Sequence, residues 1–259
     1  MERPRIARLA GQAGVFIAFF LLWEILVRAA GMKSVILPAP SLIFATIYRQ
    51  WHYLLGETWP TAFAIAVGFL VAAASGFIIA LGIAYLRWVS QLVYPFLIVA
   101  QVLPKIALAP LFLIWFGFGL APKLVIAALI AFFPIVVNTA RGLASVEPEL
   151  IQYMRSLGAS WTDIFFKISL PWATPYIFAS FKISITLAVV GVVVGEFVAS
   201  DKGLGYVIEY ANIELNTPLM FAGILVLSVL GVLFFLLVVL LESFLMSWNA
   251  EVGAPPETM

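Results

Sequence analysis

"YMRSLGASWTDIFFKISLP", residues 153–171, is the stretch on which the reading of this chain turns. It sets an arginine, an aspartate and a lysine between long apolar runs, with Gly158 in its middle and Pro171 at its close. Just ahead of it, Pro148 suits the first turn of a helix. Leu150, Ile151, Met154 and Leu157 then recur at three- and four-residue spacing and give that helix one apolar face. Gly158 stands where a helix C-terminus takes a left-handed residue. Ser160 reads as an N-cap with Asp163 three residues on, the start of a second helix whose apolar face is Trp161, Ile164, Phe165 and Ile168. Pro171 and Pro175 are expected to end it. The expectation is a polar island of two short amphipathic helices joined by a glycine elbow.

Composition says where such an island sits. Of 259 residues, 64% are hydrophobic and only 10% charged, against about a quarter charged in a soluble domain. That deficit marks an integral membrane protein, and its apolar runs of about 20 residues make the expected fold all-α. A net charge of +1 points to neither nucleic acid nor acidic partners. The absence of cysteine excludes disulfides, iron–sulfur clusters and thiolate zinc, and the single histidine, His52, cannot build a histidine-rich metal site within one chain. No metal site is expected.

Six apolar runs are long enough to span a bilayer: 14–30, 61–86, 89–116, 122–143, 176–199 and 219–248. Glu24 and Arg28 interrupt the first, which reads as an uncleaved span rather than a signal peptide. Six spans put both termini on one side. With the N-terminus in the cytoplasm, that side holds Arg3, Arg5, Arg8, Arg87, Arg141, Arg155 and Lys167, and the other holds Arg28, Lys33, Arg49, Lys123 and Lys202. The N-terminal cluster beside the first span decides the orientation, so the island faces the cytoplasm. The chain divides into 1–56 (N-terminal tip, first span and outer loop), 57–248 (the remaining spans, with the island loop at 145–172) and a cytoplasmic tail, 249–259.

Small residues and charges set the expected packing. Gly68, Ala72, Gly76 and Ala80 form a bare stripe on the second span, and Gly191 and Gly195 form a GxxxG pair on the fifth. The Leu-, Val- and Phe-rich sixth span is expected to face lipid. Glu24, Lys105, Lys182 and Glu196 lie within apolar runs, where each charge costs about 2.5–3.5 kcal/mol at mid-membrane. Glu24 and Arg28 are spaced to pair on one helix, and Lys182 is close enough to a span end to snorkel. Lys105 and Glu196 fall at similar depth by the helical rise. They are expected to meet as a gate or a register-fixing pair, with Pro104 and Pro110 breaking the third span so that it lines a cavity.

Gly158, nine residues, then "ISLP" (Ile168 to Pro171) resembles the back half of the EAA loop of ABC-importer permeases, EAA-xxx-G-(nine residues)-I-x-LP. Gln152, Tyr153 and Met154 stand at the Glu-Ala-Ala positions, so the acidic first position is replaced by a neutral hydrogen-bonding side chain of the same length. "ILPAPSLIF" (36–44), "LPKIALAPLFLIWFGFG" (103–119), "FFPIVVNTARGL" (132–143) and "GVVVGEFVASDKGLGYVI" (191–208) are similar to permeases of the nitrate/sulfonate/taurine branch. The resemblance implies a type I ABC-importer transmembrane subunit of the bacterial inner membrane. Gln152, Tyr153, Met154, Arg155, Gly158, Ala159, Ile168, Leu170 and Pro171 would form its ATPase coupling loop. It further implies a second permease copy, two cytoplasmic ATPase subunits and an outer substrate-binding protein. Solutes in that branch are nitrate, sulfonates, taurine and pyrimidine- or flavin-type vitamin precursors.

The residues themselves fit this division of labour. There is no G-x-x-x-x-G-K-[ST] stretch to cradle a nucleotide phosphate, so no cofactor is expected on this chain, and ATP and magnesium would belong to the partner ATPase. A catalytic role fails on geometry: the "GASW" serine, Ser160, lies in the island, while His52, the only histidine, is expected on the other side. An ion-coupled secondary transporter is the alternative, but it would show repeats that this chain lacks.

Overall fold

The computed structural model describes residues 5–246, and the side chains of all of these except 5–13, 16, 94 and 98. The tail at 249–259, the end of the sixth run and Arg3 lie outside the described residues. Within them the chain is helical throughout, with no strand. Its helices are α1 (Arg5–Ala29), α2 (Pro40–Arg49), α3 (Trp51–Tyr85), α4 (Arg87–Val102), α5 (Ala109–Phe116), α6 (Leu120–Ala144), α7 (Pro148–Ser156), α8 (Trp161–Ile164), α9 (Leu170–Ala199), α10 (Leu204–Ile213) and α11 (Thr217–Leu245).

Four continuous helices are long and apolar enough to cross a membrane: α3, α6, α11 and the run Trp161–Ala199 that ends in α9. A fifth arises if α4 and the segment Lys105–Phe116 count as one span, although the two are bent by 86°. The break falls where Pro104 and Pro110 predict it. Pro104 precedes a 3-10 turn, Lys105–Leu108, and Pro110 sits in the first turn of α5, where a missing N–H costs nothing. α1 covers the first of the six expected runs.

Two boundaries differ from expectation for the same reason. α3 begins at Trp51 and carries Pro60 within it, so the division expected between 56 and 57 falls inside one helix. Likewise Pro171 and Pro175 do not end the island's second helix. The chain runs from α8 through a π turn, Phe165–Ser169, directly into α9, which holds Pro171 in its first turn and Pro175 inside. A proline removes one N–H and crowds the carbonyl four residues back. The widened π turn gives Pro171 that room.

α6 is the centre of the bundle, buried on two sides. The stripe on α3 packs against one side: a Cβ at Gly68 would lie 2.8 Å from the Ala127 Cβ, and one at Gly76 would lie 2.9 Å from Ile135 Cγ2. These pairings run α3 and α6 parallel. The glycines of α9 pack against the other side, antiparallel. A Cβ at Gly191 would stand 2.6 Å from the Ala127 Cα, and one at Gly195 equally close to the Lys123 Cα. Ala127 is thus clamped between two glycines. This is the close helix approach that small residues permit in lipid. α11 leaves most of its Leu, Val and Phe side chains exposed, as expected of a lipid-facing helix.

The clamp yields a stability prediction. Gly191→Ala pushes a methyl against backbone and is expected to cost about 1–3 kcal/mol through overpacking. Gly56→Ala, with nothing within 4 Å of its new Cβ, should be neutral or slightly stabilising. Thermal unfolding in detergent checks the pair; equal melting temperatures would show that α6 and α9 can move apart freely.

Candidate functional site

The island is built by two capping devices and an ion pair in sequence. At the end of α7 the Gly158 N–H donates to Arg155 O at 3.0 Å, and the Ala159 N–H donates to Met154 O at 3.1 Å. Together these make a Schellman motif, and Gly158 takes the left-handed φ of +79° that it requires. One residue later Ser160 and Asp163 form a full capping box: each side chain accepts from the other's backbone N–H. Lys167 Nζ meets Asp163 Oδ1 at 2.5 Å one turn on. The elbow is therefore fixed by hydrogen bonds on both sides of a single link, Ala159.

The two halves of the island differ in how they are held. Phe165 is buried with Leu143, Ala173 and Ile177, and Trp161 stacks on it while meeting Tyr85 of α3 edge-on at 5.4 Å. By contrast, α7 stands proud of the bundle. Gln152, Tyr153 and Arg155 are exposed, and Leu150, Ile151 and Met154 are half-buried. Leu157, expected on the buried face, is 65% exposed, because the elbow turns the chain away before the last helical turn can pack. Of the other loop residues, Ala159, Ile168, Leu170 and Pro171 are half-buried.

At the far end of α9 lies a buried polar network. Glu196 is 1% exposed and its carboxylate is fully engaged. It accepts from Lys123 Nζ at 3.4 Å, from the Thr61 hydroxyl at 3.0 Å and from the Gly205 N–H at 2.8 Å. Lys123 also donates to Ser200 Oγ at 3.0 Å and to Lys202 O at 3.4 Å. The first N–H groups of α10 are satisfied by side chains from other helices: Gly203 donates to Glu57 at 2.6 Å, and Leu204 to Thr61 at 2.8 Å. Carboxylates at a helix N-terminus answer both its orphan donors and its dipole. Gly203, at φ +111°, allows this approach, since any Cβ there would collide with the Glu196 carboxylate.

This corrects the expected Lys105–Glu196 pair. Lys123 holds Glu196, while Lys105 Nζ donates to Gln101 O at 3.0 Å and lies 4.6 Å above the Phe133 ring. Phe133 is ten residues beyond Lys123 on α6, about 15 Å further along the helix. In the sequence Lys123 counts among the outer-side charges at the start of the fourth run, yet it is 4% exposed in the first turn of α6. The one signal for it is Gly195, whose missing side chain admits the lysine stem beside Glu196. Lys182 has an acidic partner that its spacing does not announce: its Nζ meets both Glu242 oxygens, at 3.0 and 2.9 Å. Glu24 and Arg28 do pair, at 2.5 Å, and Glu24 also caps α2 by accepting from the Ser41 N–H at 2.9 Å.

Relatives give this architecture its class. The family described as "Binding-protein-dependent transport system inner membrane component" matches residues 72–246. The chain is 32% identical to the formylaminopyrimidine transport permease ThiX of Halalkalibacterium halodurans, over 91% of this chain and 94% of the relative. It is 34% identical to the riboflavin transport permease RibX of Chloroflexus aurantiacus, over 89% and 87%. The putative aliphatic sulfonates permease SsuC of Bacillus subtilis is 32% identical over 88% and 83%. Among solved structures, a chain of the inward-facing MetNI methionine ABC transporter shares the fold, with TM-score 0.60 and 22% identity over 75% of this chain and 97% of that one. The chain belongs to the family of binding-protein-dependent transport-system inner-membrane components. It is a multi-pass permease subunit of an ABC importer.

The network makes a sharp prediction. Lys123→Met strands a buried carboxylate and is expected to cost about 3–5 kcal/mol, whereas adding Glu196→Gln should recover most of it. The glutamine carbonyl still accepts from Thr61 and Gly205. Yield of folded protein and thermal stability of the single and double variants decide this; a double variant no better than Lys123→Met would refute the pairing.

Proposed function

We propose that this permease takes up a small solute with six spans and both termini in the cytoplasm, as one of two copies joined to two ATPase subunits and an outer substrate-binding protein. ATP and magnesium are bound by the ATPase, and this chain carries no cofactor. The solute is a nitrate-, sulfonate- or taurine-like anion or a pyrimidine- or flavin-type compound, a reading supported by relatives named for formylaminopyrimidine, riboflavin and aliphatic sulfonates. Residues 145–172 are the coupling loop: the exposed face of α7, with Gln152, Tyr153 and Arg155, seats in the ATPase, and Gly158 sets its angle. Gln152 supplies a hydrogen bond where the family has a carboxylate.

The observation that carries this reading is mechanical. The elbow has no loose residue, and beyond it α8, the π turn and α9 form one helix. A displacement of α7 by nucleotide-driven closure is therefore transmitted along α9, a 30-residue helix of about 45 Å, to Glu196 at its far end. The loop moves as a handle on a rod.

Gly158→Val tests the handle. A Cβ at this position meets nothing within 4 Å, so the substitution acts only through the left-handed backbone, at about 1–2 kcal/mol. The variant should reach the membrane in normal amount, yet lose binding-protein-stimulated ATP hydrolysis in the reconstituted complex. Gly158→Asn, which tolerates that backbone, should retain most of it. Full stimulation in the valine variant would remove the elbow from coupling.

A further inference from the structure

We infer that the cleft beside the α4–α5 break is an oxyanion site for the transported solute, with Lys105 as its charged contact. This rests on the importer reading and names the chemistry of one station within it. The cleft has a volume of about 370 Å³ and is lined by Gln101, Lys105, Phe133, Pro134, Asn138 and Leu187 among others. That volume is at the small end of ligand pockets and suits a small solute. Pro134 and Leu187 lie near the middles of α6 and α9, so the cleft opens at mid-depth in the bundle rather than at either surface.

Lys105 is equipped for an anion. An ammonium has three donors; one is used on Gln101 O and the cation lies over the Phe133 face, which fixes its position. Two N–H bonds are left to the cleft. Glu24, Glu196 and Glu242 are engaged by Arg28, Lys123 and Lys182. Among the described residues Lys105 is thus a half-buried cation with no carboxylate partner. A charge at that depth needs a counter-charge or water, and a passing sulfonate, carboxylate or phosphate supplies the counter-charge. Asn138 spends one N–H on Pro134 O at 2.9 Å and has a second donor to offer. The arrangement holds an anion by charge and by few hydrogen bonds, which is what a transit station requires: enough to attract, too little to trap.

Amine acylation of the purified importer, permease and ATPase together in nanodiscs, tests this without transport. With ethanesulfonate present, acetic anhydride should modify Lys105 more slowly than with equal chloride. The slowing is about tenfold at ten times the dissociation constant, because only the empty site reacts. The exposed lysines Lys33 and Lys202 should be unaffected, as read by peptide mass spectrometry. No protection by ethanesulfonate, acetate or inorganic phosphate would overturn the proposal. Equal protection by uncharged riboflavin would overturn the anionic class, and protection only in phosphatidylglycerol nanodiscs would reassign the cleft to a lipid headgroup. The assay needs neither ATP nor uptake. Its failure would leave the importer reading standing, and that reading fails separately if the permease does not stimulate ATP hydrolysis.

Discussion

The rest of the bundle depends on the Glu196 carboxylate. Its partners come from α3, α6 and α10, and Glu196 itself belongs to α9, so one side chain fixes the mutual position of four elements. An ionised carboxylate removed from water is tolerated only when its lone pairs are filled, and here a lysine, a hydroxyl and a helix N-terminus fill them. The glycines around it are part of the same arrangement. Gly195 lets the lysine backbone approach, and Gly203 and Gly205 let the α10 N-terminus close over the acid. Polar bonding and small-residue packing are one device at this end of the bundle.

α9 joins this end to the other. It carries Pro171 and Pro175 near its start, a composition that ordinarily stops a helix. The π turn before Pro171 absorbs the missing bond without bending the chain out of the bundle, so the rod remains continuous from Trp161. At the island end the contacts are aromatic, Trp161 and Phe165 against Tyr85. Such edge-to-face and stacked pairs add about 0.5–1.5 kcal/mol each beyond their buried area. At the opposite end the contacts are charged and geometrically exacting.

Local signals are legible in the sequence, and long-range pairings are not. Gly158, Ser160 and Asp163 declare their caps within a few residues, and the Pro104–Pro110 spacing declares the break. The stripe from Gly68 to Ala80 and the Gly191–Gly195 pair correctly mark the two faces that bury against α6. Depth counting fails for Lys105 and Glu196 because it treats helices as straight rods through a slab. The 86° bend after α4 invalidates the count for Lys105, and the pairing of Lys123 with Glu196 is signalled only by the small residue at Gly195. Glu242 gives no signal of its pairing because it lies near the end of the most apolar helix, where a glutamate reads as an interfacial residue.

The pairings themselves explain why Lys105 is left over. Each intramembrane acid is matched to a cation that packing brings near: Arg28 by helical spacing, Lys123 by the glycine beside Glu196, Lys182 by the crossing of α9 and α11. Matching by packing leaves no acid for Lys105, which meets α6 at Phe133, well along the helix from the Lys123 that holds Glu196. A static scaffold would gain from replacing such a lysine by leucine, because an unpaired ammonium at that depth costs about 2.5–3.5 kcal/mol. The cost is instead met in part by a ring face and one carbonyl, and the side chain lines a cleft. The same break in α4–α5 that opens the cavity therefore also provides the charge within it.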